Sequence, residues 1–474
     1  MGSLQQFYIN GHWVAPADGA GSHTVINPAT EKSLGELAMG GAADIDAAIS
    51  AAAAAFPAFS ADPLETRLGY LERIAEGYQA RLEDIAQAIS QEMGAPISLA
   101  RKVQAPMGLG HLKTTLAVAR DFPFEEQLGQ AQIRRTAAGV CALITPWNWP
   151  MNQVMCKVAP AMAAGCTMVL KPSEFAPLSA QILAEIMDEA GLPAGVFNMV
   201  HGDGAQVGPM LSSDPRIDVV SLTGSTRAGE SVSREAAATI KRVSLELGGK
   251  SANILLPGCD LQKAVTYGVR AMMNNTGQSC NAPSRMLVPA DRLAEAEAIA
   301  AQACDSIVVG DPQNEDTVIG PIANGRQYQR VQSMIETGLQ EGATLVAGGT
   351  GKPPGMEAGY FARPTVFSQV SNTMTIGREE IFGPVLVMIP YQDVDEAVAI
   401  ANDSDYGLSG YVYGEDSDAR AVAARLRTGM VHINGAGPDL QGAFGGFKQS
   451  GNGREWGRFG LEEFLETQSL FLPH

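Results

Sequence analysis

The stretch Gly139-Val140-Cys141-Ala142-Leu143-Ile144-Thr145-Pro146-Trp147-Asn148-Trp149-Pro150 opens as a short apolar run and ends between two prolines. Glycine before residues 140–145 and proline after them mark a buried strand rather than a helix segment. A helical pattern over 152–164 follows, then a second apolar run at 166–170. Strand, helix and strand at this spacing form a βαβ unit with parallel strands. The alternation continues through helix 179–190, strand 196–200, helix 205–211, strand 219–223, helix 228–238 and strand 243–247. The fold class it predicts is α/β, built on a parallel, doubly wound sheet.

Working outward, a second alternating block starts near Ser251. It holds helix 262–273, strand 286–288, a long helix 323–340 and strand 344–347. Strand 385–389, helix 394–401 and strands 411–413 and 431–433 follow, and 348–359 is a Gly/Pro-rich surface loop. Upstream, Phe7-Tyr8-Ile9-Asn10-Gly11-His12-Trp13-Val14 sets Asn-Gly between two apolar pieces, which predicts a hairpin. Residues 42–59, 64–93 and 97–119 read as helices. Residues 122–136 are short, polar and partly alternating, an extended excursion, and the chain ends with helix 461–465 and an extended 468–472.

At 474 residues the chain is too long for one simple core, so two or three domains are expected. Its net charge of −18 argues against nucleic acid or an anionic membrane as partner, since neither meets a basic footprint. Six cysteines are scattered with no C-x-x-C pair and no Cys/His cluster at metal spacing. This reads as reduced thiols in a cytoplasmic protein without a metal site. Met1-Gly2-Ser3-Leu4-Gln5 has no basic or apolar leader pattern. The longest apolar run, 158–170, is broken by Pro160 and Gly165 and is too short to span a bilayer, so a soluble chain is expected.

Five constellations carry chemistry. Asn148, clamped by Trp147 and Trp149 at a strand C-terminus, stands where parallel sheets bind ligands, and its amide can donate to an oxyanion or cap the next helix. In Leu245-Glu246-Leu247-Gly248-Gly249-Lys250, a glutamate at an apolar strand end is either a buried base with a raised pKa or a residue on a solvated edge. Lys171-Pro172-Ser173-Glu174 after a strand can reach a ribose, and Thr223-Gly224-Ser225-Thr226 at a helix start suits a pyrophosphate. Arg378-Glu379-Glu380-Ile381-Phe382-Gly383-Pro384 and Phe444-Gly445-Gly446-Phe447 through Glu455 are a charged turn and a glycine loop. Finally, Met272-Met273-Asn274-Asn275-Thr276-Gly277-Gln278-Ser279-Cys280-Asn281-Ala282 ends a helical pattern on a bent loop that presents one thiol.

In this order and at these spacings the stretches resemble the NAD(P)-dependent aldehyde dehydrogenase superfamily, over nearly the whole chain. The resemblance implies that Cys280 attacks the aldehyde carbon while the Asn148 amide and the Cys280 N–H hold the oxyanion. A hydride leaves for nicotinamide, and Glu246 activates water against the resulting thioester. It places Lys157 and Glu455 where they assist proton transfer. Lys171 and Glu174 match adenosine-ribose contacts, Ser225 the pyrophosphate site, and Glu380 and Phe382 the nicotinamide-ribose ligand and its packing partner. Trp147 matches an adenine-side or nearby structural aromatic. Thr145, Pro146, Ser173, Gly204, Gly208, Thr223, Gly224, Leu247 and Gly248 complete the implied cofactor contacts. Glu174 favours NAD over NADP, because its charge repels a 2′-phosphate.

The implied organisation is a dinucleotide-binding domain (1–118 and 138–248), a catalytic domain (249–447) and an oligomerisation arm (119–137 and 464–474), with 448–463 returning toward the cofactor domain. A homodimer or dimer of dimers follows. Departures from the family pattern lie at Trp149, Cys156, Asn281 and Ala443. A tunnel lined by Trp149, Gln153, Cys156, Ser279, Asn281 and Phe444, with no arginine at position 156, points to a neutral, aromatic or medium-chain aldehyde. Two rivals remain: a CoA-acylating dehydrogenase of the same fold, against which Glu246 counts, and a non-catalytic protein that kept the fold, against which both Cys280 and Glu246 count.

Overall fold

The computed structural model describes residues 4–17, 19 and 21–473. Met1, Gly2, Ser3 and His474, which enter the reading of the chain ends, lie outside them.

The first sheet has seven strands in the order Arg242–Glu246, Val219–Thr223, Val140–Ile144, Thr167–Lys171, Phe197–Met199, Phe7–Ile9 and His12–Val14. The first five are parallel, and the last two form the antiparallel hairpin. Its Asn10 and Gly11 both take positive φ, 53° and 74°, the geometry that Asn-Gly tolerates in a two-residue turn. Alternate residues of Val140–Ile144 point to opposite cores. Cys141 and Leu143 pack with helices Leu64–Ala80, Leu82–Met93, Ala105–Asp121, Pro150–Ala164 and Pro177–Glu189, whereas Val140, Ala142 and Ile144 pack with Ala42–Ala61, Gly204–Ser213 and Thr226–Ala236. Period-two alternation between two covered faces is what a doubly wound sheet requires. By length and composition Ala42–Ala61 is apolar enough to cross a membrane; here Ile45, Ala48, Ile49 and Ala52 pack it on this sheet.

The second sheet runs Thr344–Ala347, Thr365–Ser368, Val385–Tyr391, Arg285–Pro289, Ala252–Leu255, Ser409–Tyr413 and Met430–Ile433. Its strands are parallel except the first. A three-stranded antiparallel sheet joins Leu465–Phe471, Ala131–Ala137 and Glu125–Leu128, so the excursion at 122–136 is extended as expected.

Several elements differ from the sequence reading. The helix expected over 64–93 is two helices, broken at Arg81. The last helix is Gly457–Glu462, earlier than 461–465, because Leu465 pairs with Ala137 and is already strand. The hairpin Gly21–Ile26/Ser33–Met39, strands Ala252–Leu255 and Thr365–Ser368, and helix Leu293–Asp305 were not anticipated.

The edge strand Arg242–Glu246 is covered by the glycine loop near the C-terminus. Glu246 bridges Gly451, Leu247 N donates to Ser450 O at 2.9 Å, and Asn452 N donates to Leu245 O at 3.2 Å. This cover turns a sheet edge into a buried site.

Candidate active site

The thiol loop leaves helix Leu261–Met273 through three consecutive left-handed residues, Asn275 (φ 52°), Thr276 (φ 56°) and Gly277 (φ 69°). A Cβ on Gly277 would stand 2.1 Å from Gly383 O, so only glycine fits against the 378–384 turn. Gln278 pins the bend: its Oε1 accepts from Ala323 N at 2.9 Å and its Nε2 donates to Asn275 O at 3.1 Å. The Asn148 amide reaches the same loop, Nδ2 donating to Gln278 O at 3.1 Å, and Asn275 Nδ2 donates back to Asn148 O at 2.8 Å. One N–H of the Asn148 amide is thereby used, and its second remains for a ligand oxygen. Trp149 Nε1 donates to Ser279 Oγ at 2.8 Å, tying the residue after the asparagine to the residue before the thiol.

Cys280 is half-buried and lines a cleft of about 870 Å³ together with Asn148. Burial, then the charges of Glu380, Glu246 and Glu455, push its thiol upward, while the Asn281 N–H opposes them. Glu246, at the end of its strand, is 2% exposed, and neither carboxylate oxygen has a hydrogen-bond partner among the described residues. Burial and Glu455 hold its pKa well above the ordinary carboxylate range, opposed by Lys157 and Arg454. The solvated-edge alternative for Glu246 is thereby excluded. A Cβ on Gly445 would lie 2.5 Å from Glu246 Oε1, so the glycine loop packs directly on the carboxylate.

Behind Glu246, Lys157 forms a buried ion pair with Glu455 and donates to Ser221 Oγ at 3.0 Å. Cys156, 2% exposed, does not present a free thiol to the cleft: its Sγ lies 3.3 Å from Glu455 Oε2. It packs with Leu408, Phe444 and Trp456 in a small apolar cluster that also touches Cys280. Gln153 is buried, its Oε1 without a partner among the described residues, and Asn281 O accepts from Tyr411 Oη at 2.8 Å.

The cleft gathers most of the expected cofactor residues: Pro146, Trp147, Thr223, Gly224, Ser225, Leu247, Gly248, Glu380 and Phe382 all line it. Ser225 caps helix Thr226–Ala236, its Oγ accepting from Ala228 N. Gly248 is tight, since a Cβ there would stand 2.1 Å from Glu380 Oε2, and Glu380 Oε1 accepts from Gly249 N at 3.0 Å. Trp147 stands edge-on to Phe382, with centroids 5.5 Å apart, which sets it beside the 378–384 turn and near Cys280. Lys171 and Glu174 form an ion pair at 2.9 Å, and Gly204 adjoins Lys171 Nζ. The lining residues do not include Thr145, Lys171, Ser173, Glu174, Gly204 or Gly208. Thr145 follows strand Val140–Ile144 and has a buried hydroxyl with no partner among the described residues, and Ser173 Oγ accepts from Phe175 N.

Arg227, Arg326, Gln327 and Arg330 also line the cleft and were missed in the sequence. Gln327 Nε2 donates to Ile381 O and Phe382 O at 3.0 and 2.9 Å. The available signal was Asn324, which caps helix Gly325–Gln340 and so aims its first turn at the cleft. A helix N-terminus, cationic side chains and close-approach glycines fit an anionic dinucleotide. The thiol, the unpaired carboxylate and a free amide N–H suit acyl chemistry at one carbonyl.

Comparison with known proteins agrees. The aldehyde dehydrogenase family profile matches residues 13–470. A 3-succinoylsemialdehyde-pyridine dehydrogenase of a Pseudomonas species is 57% identical over 472 residues, 99% of each chain. Among solved structures, a cysteine-to-alanine mutant of aldehyde dehydrogenase C from Pseudomonas syringae, in complex with NAD+ and octanal, superposes with a TM-score of 0.97. It is 54% identical, and the match covers 99% of this chain and 96% of that one. Betaine aldehyde dehydrogenase from Staphylococcus aureus, in complex with NAD+, gives a TM-score of 0.95 at 33% identity, covering 98% and 94% of the two chains. By sequence, fold and site alike, this chain belongs to the aldehyde dehydrogenase family.

Proposed function

We propose that the protein oxidises a neutral aldehyde to its carboxylic acid with NAD, using Cys280 as nucleophile and Glu246 as the base for hydrolysis. What supports this reading is a cleft lined by both Cys280 and Asn148, with the buried Glu246 carboxylate, unpartnered among the described residues, close enough for its charge to act on the Cys280 thiol. The Cys280 thiol gives up its proton to solvent in the cleft as its sulfur adds to the carbonyl carbon, and the oxyanion is received by the free Asn148 N–H and the Cys280 backbone N–H. Two such donors contribute roughly 3 kcal/mol each. Bound in the cleft, NAD supplies the hydride acceptor. Glu246 then takes a proton from water as that water attacks the thioester on Cys280, and Lys157 with Glu455 leads the proton away. Ser225 and the start of helix Thr226–Ala236 hold the pyrophosphate. Glu380 binds the nicotinamide ribose, Phe382 packs on it, and Lys171 and Glu174 take the adenosine ribose.

The aldehyde's tail lies against Trp149, Gln153, Ser279, Asn281 and Phe444, with Cys156 in the wall behind. Octanal in the Pseudomonas syringae complex and the pyridine-bearing semialdehyde in the Pseudomonas relative's name fit a medium-chain or aromatic tail. The chain divides into dinucleotide-binding (1–118, 138–248) and catalytic (249–447) domains, with 119–137 and 464–474 as an arm that adds to a second subunit's sheet. A cytoplasmic dimer or dimer of dimers follows. The test is an aldehyde panel with wild type and Cys280→Ser. The variant is expected to lose oxidation and keep NADH binding by fluorescence; oxidation at the wild-type rate refutes the reading.

A further inference from the structure

Beside the ion pair of Lys157 and Glu455 stands a third buried group, the thiol of Cys156. Its Sγ has two acceptors in reach, the Gln153 carbonyl of its own helix at 3.4 Å and Glu455 Oε2 at 3.3 Å. A thiol has one proton, and a carboxylate is the stronger acceptor. The two oxygens of Glu455 are then held separately, Oε1 by Lys157 and Oε2 by Cys156. Among the described residues, Glu246 has neither kind of partner. Two carboxylates in one buried site cannot both carry full charge without cost, and a hydrogen bond to the charged form of one favours it.

We propose that Cys156 is a positioning residue for hydrolysis: its S–H holds the negative charge on Glu455, and the shared proton therefore rests on Glu246 until water is to be activated. The inference depends on the function proposed above, in which Glu246 is the base. The charged and titratable groups facing this pair are Lys157 from helix Pro150–Ala164, His111 from Ala105–Asp121, Arg454 and Glu463 from the C-terminal segment, and Cys280. Lys157 and Arg454 oppose the rise at Glu246, while Glu455 and Glu463 add to it. Cys156 is a neutral donor to Glu455, so its removal changes the hydrogen bonding of the pair and not its net charge.

The test uses p-nitrophenyl acetate, which acylates Cys280 without a cofactor, and follows the deacylation rate against pH. In wild type the rate rises as Glu246 ionises. Cys156→Ala and the bulkier Cys156→Val, which both lack the donor, are expected to move that rise to lower pH by about half a unit or more. Cys156→Ser, which restores a donor, is expected to leave it in place. An unchanged profile in both donor-less variants overturns the inference, as does an equal shift in Cys156→Ser, which would make the effect one of packing. Glu246→Gln separates the two claims. If it deacylates at the wild-type rate, the proposed function fails and this inference with it. If it is inactive while Cys156→Ala and Cys156→Val keep the wild-type profile, only this inference fails.

Discussion

Replacing Gly445 by alanine perturbs the base without touching its chemistry. A Cβ at this position would lie 2.5 Å from Glu246 Oε1 and 2.5 Å from Gly453 O. The second neighbour is backbone and yields little, so the carboxylate must give way, by about 1 Å to regain ordinary contact. Displacement of a reacting group by about 1 Å costs on the order of a hundredfold in rate. The backbone adds its own cost, because Gly445 has φ +151°, a region L-residues rarely enter, at about 1–3 kcal/mol of stability. Thermal unfolding reads the second effect. Burst amplitude and steady deacylation with an activated ester read the first, since in the proposed mechanism acylation uses Cys280 and hydrolysis Glu246. The expected result is a full burst, a deacylation rate lowered about a hundredfold and a modest fall in Tm. A variant that deacylates at the wild-type rate refutes the claim that the glycine loop seats the base.

Other substitutions probe separate parts of the molecule. Glu174→Gln is expected to narrow the preference for NAD over NADP by about tenfold in kcat/KM, because the repelled 2′-phosphate meets no charge; an unchanged ratio removes Glu174 from cofactor choice. Glu92, buried and accepting from Leu178 N and from Ser179 N and Oγ, has its pKa raised to about 7 by burial. Its native form therefore keeps a proton that the unfolded chain has lost, and stability falls as pH rises from about 4.5 to about 7. In Glu92→Gln that slope is expected to flatten in denaturant titrations across this range. Lys250 is fully buried, its Nζ has no partner among the described residues, and burial then Arg285 lower its pKa to about 7. Here the unfolded chain binds the extra proton, so stability rises with pH from about 7 to 10.5. Lys250→Met is expected to stabilise the fold most below pH 7, by about 3–5 kcal/mol, and a Tm gain equal at all pH values contradicts the assignment.

The parallel sheet, the hairpin at Phe7 and the thiol loop were legible because each rests on local rules. Short apolar runs between helical patterns, Asn-Gly between strands, and glycine beside polar residues all declare themselves within a few residues. The cleft arginines were not legible. Arg227 and Arg326 sit on ordinary polar helix starts, and only the packing of two separate sheets turns both toward one space. Cys156 was placed by sequence in the tunnel wall, yet its thiol meets Glu455, 299 residues later, which no local pattern announces. The break at Arg81 was hidden because propensity is continuous through 64–93 and only tertiary packing bends the chain there. Strand Ala252–Leu255 followed too closely on the Gly-Gly turn to be separated from it.

The loop that roofs Glu246 also sets a schedule. Strand Arg242–Glu246 is synthesised near mid-chain, but its cover, Phe444 to Glu455, emerges only with the last few dozen residues. A growing chain completes that strand and the Cys280 loop long before the carboxylate has a wall to be buried against. A chain that stops short of the glycine loop leaves the Glu246 carboxylate on an open sheet edge, without the burial that holds its pKa up.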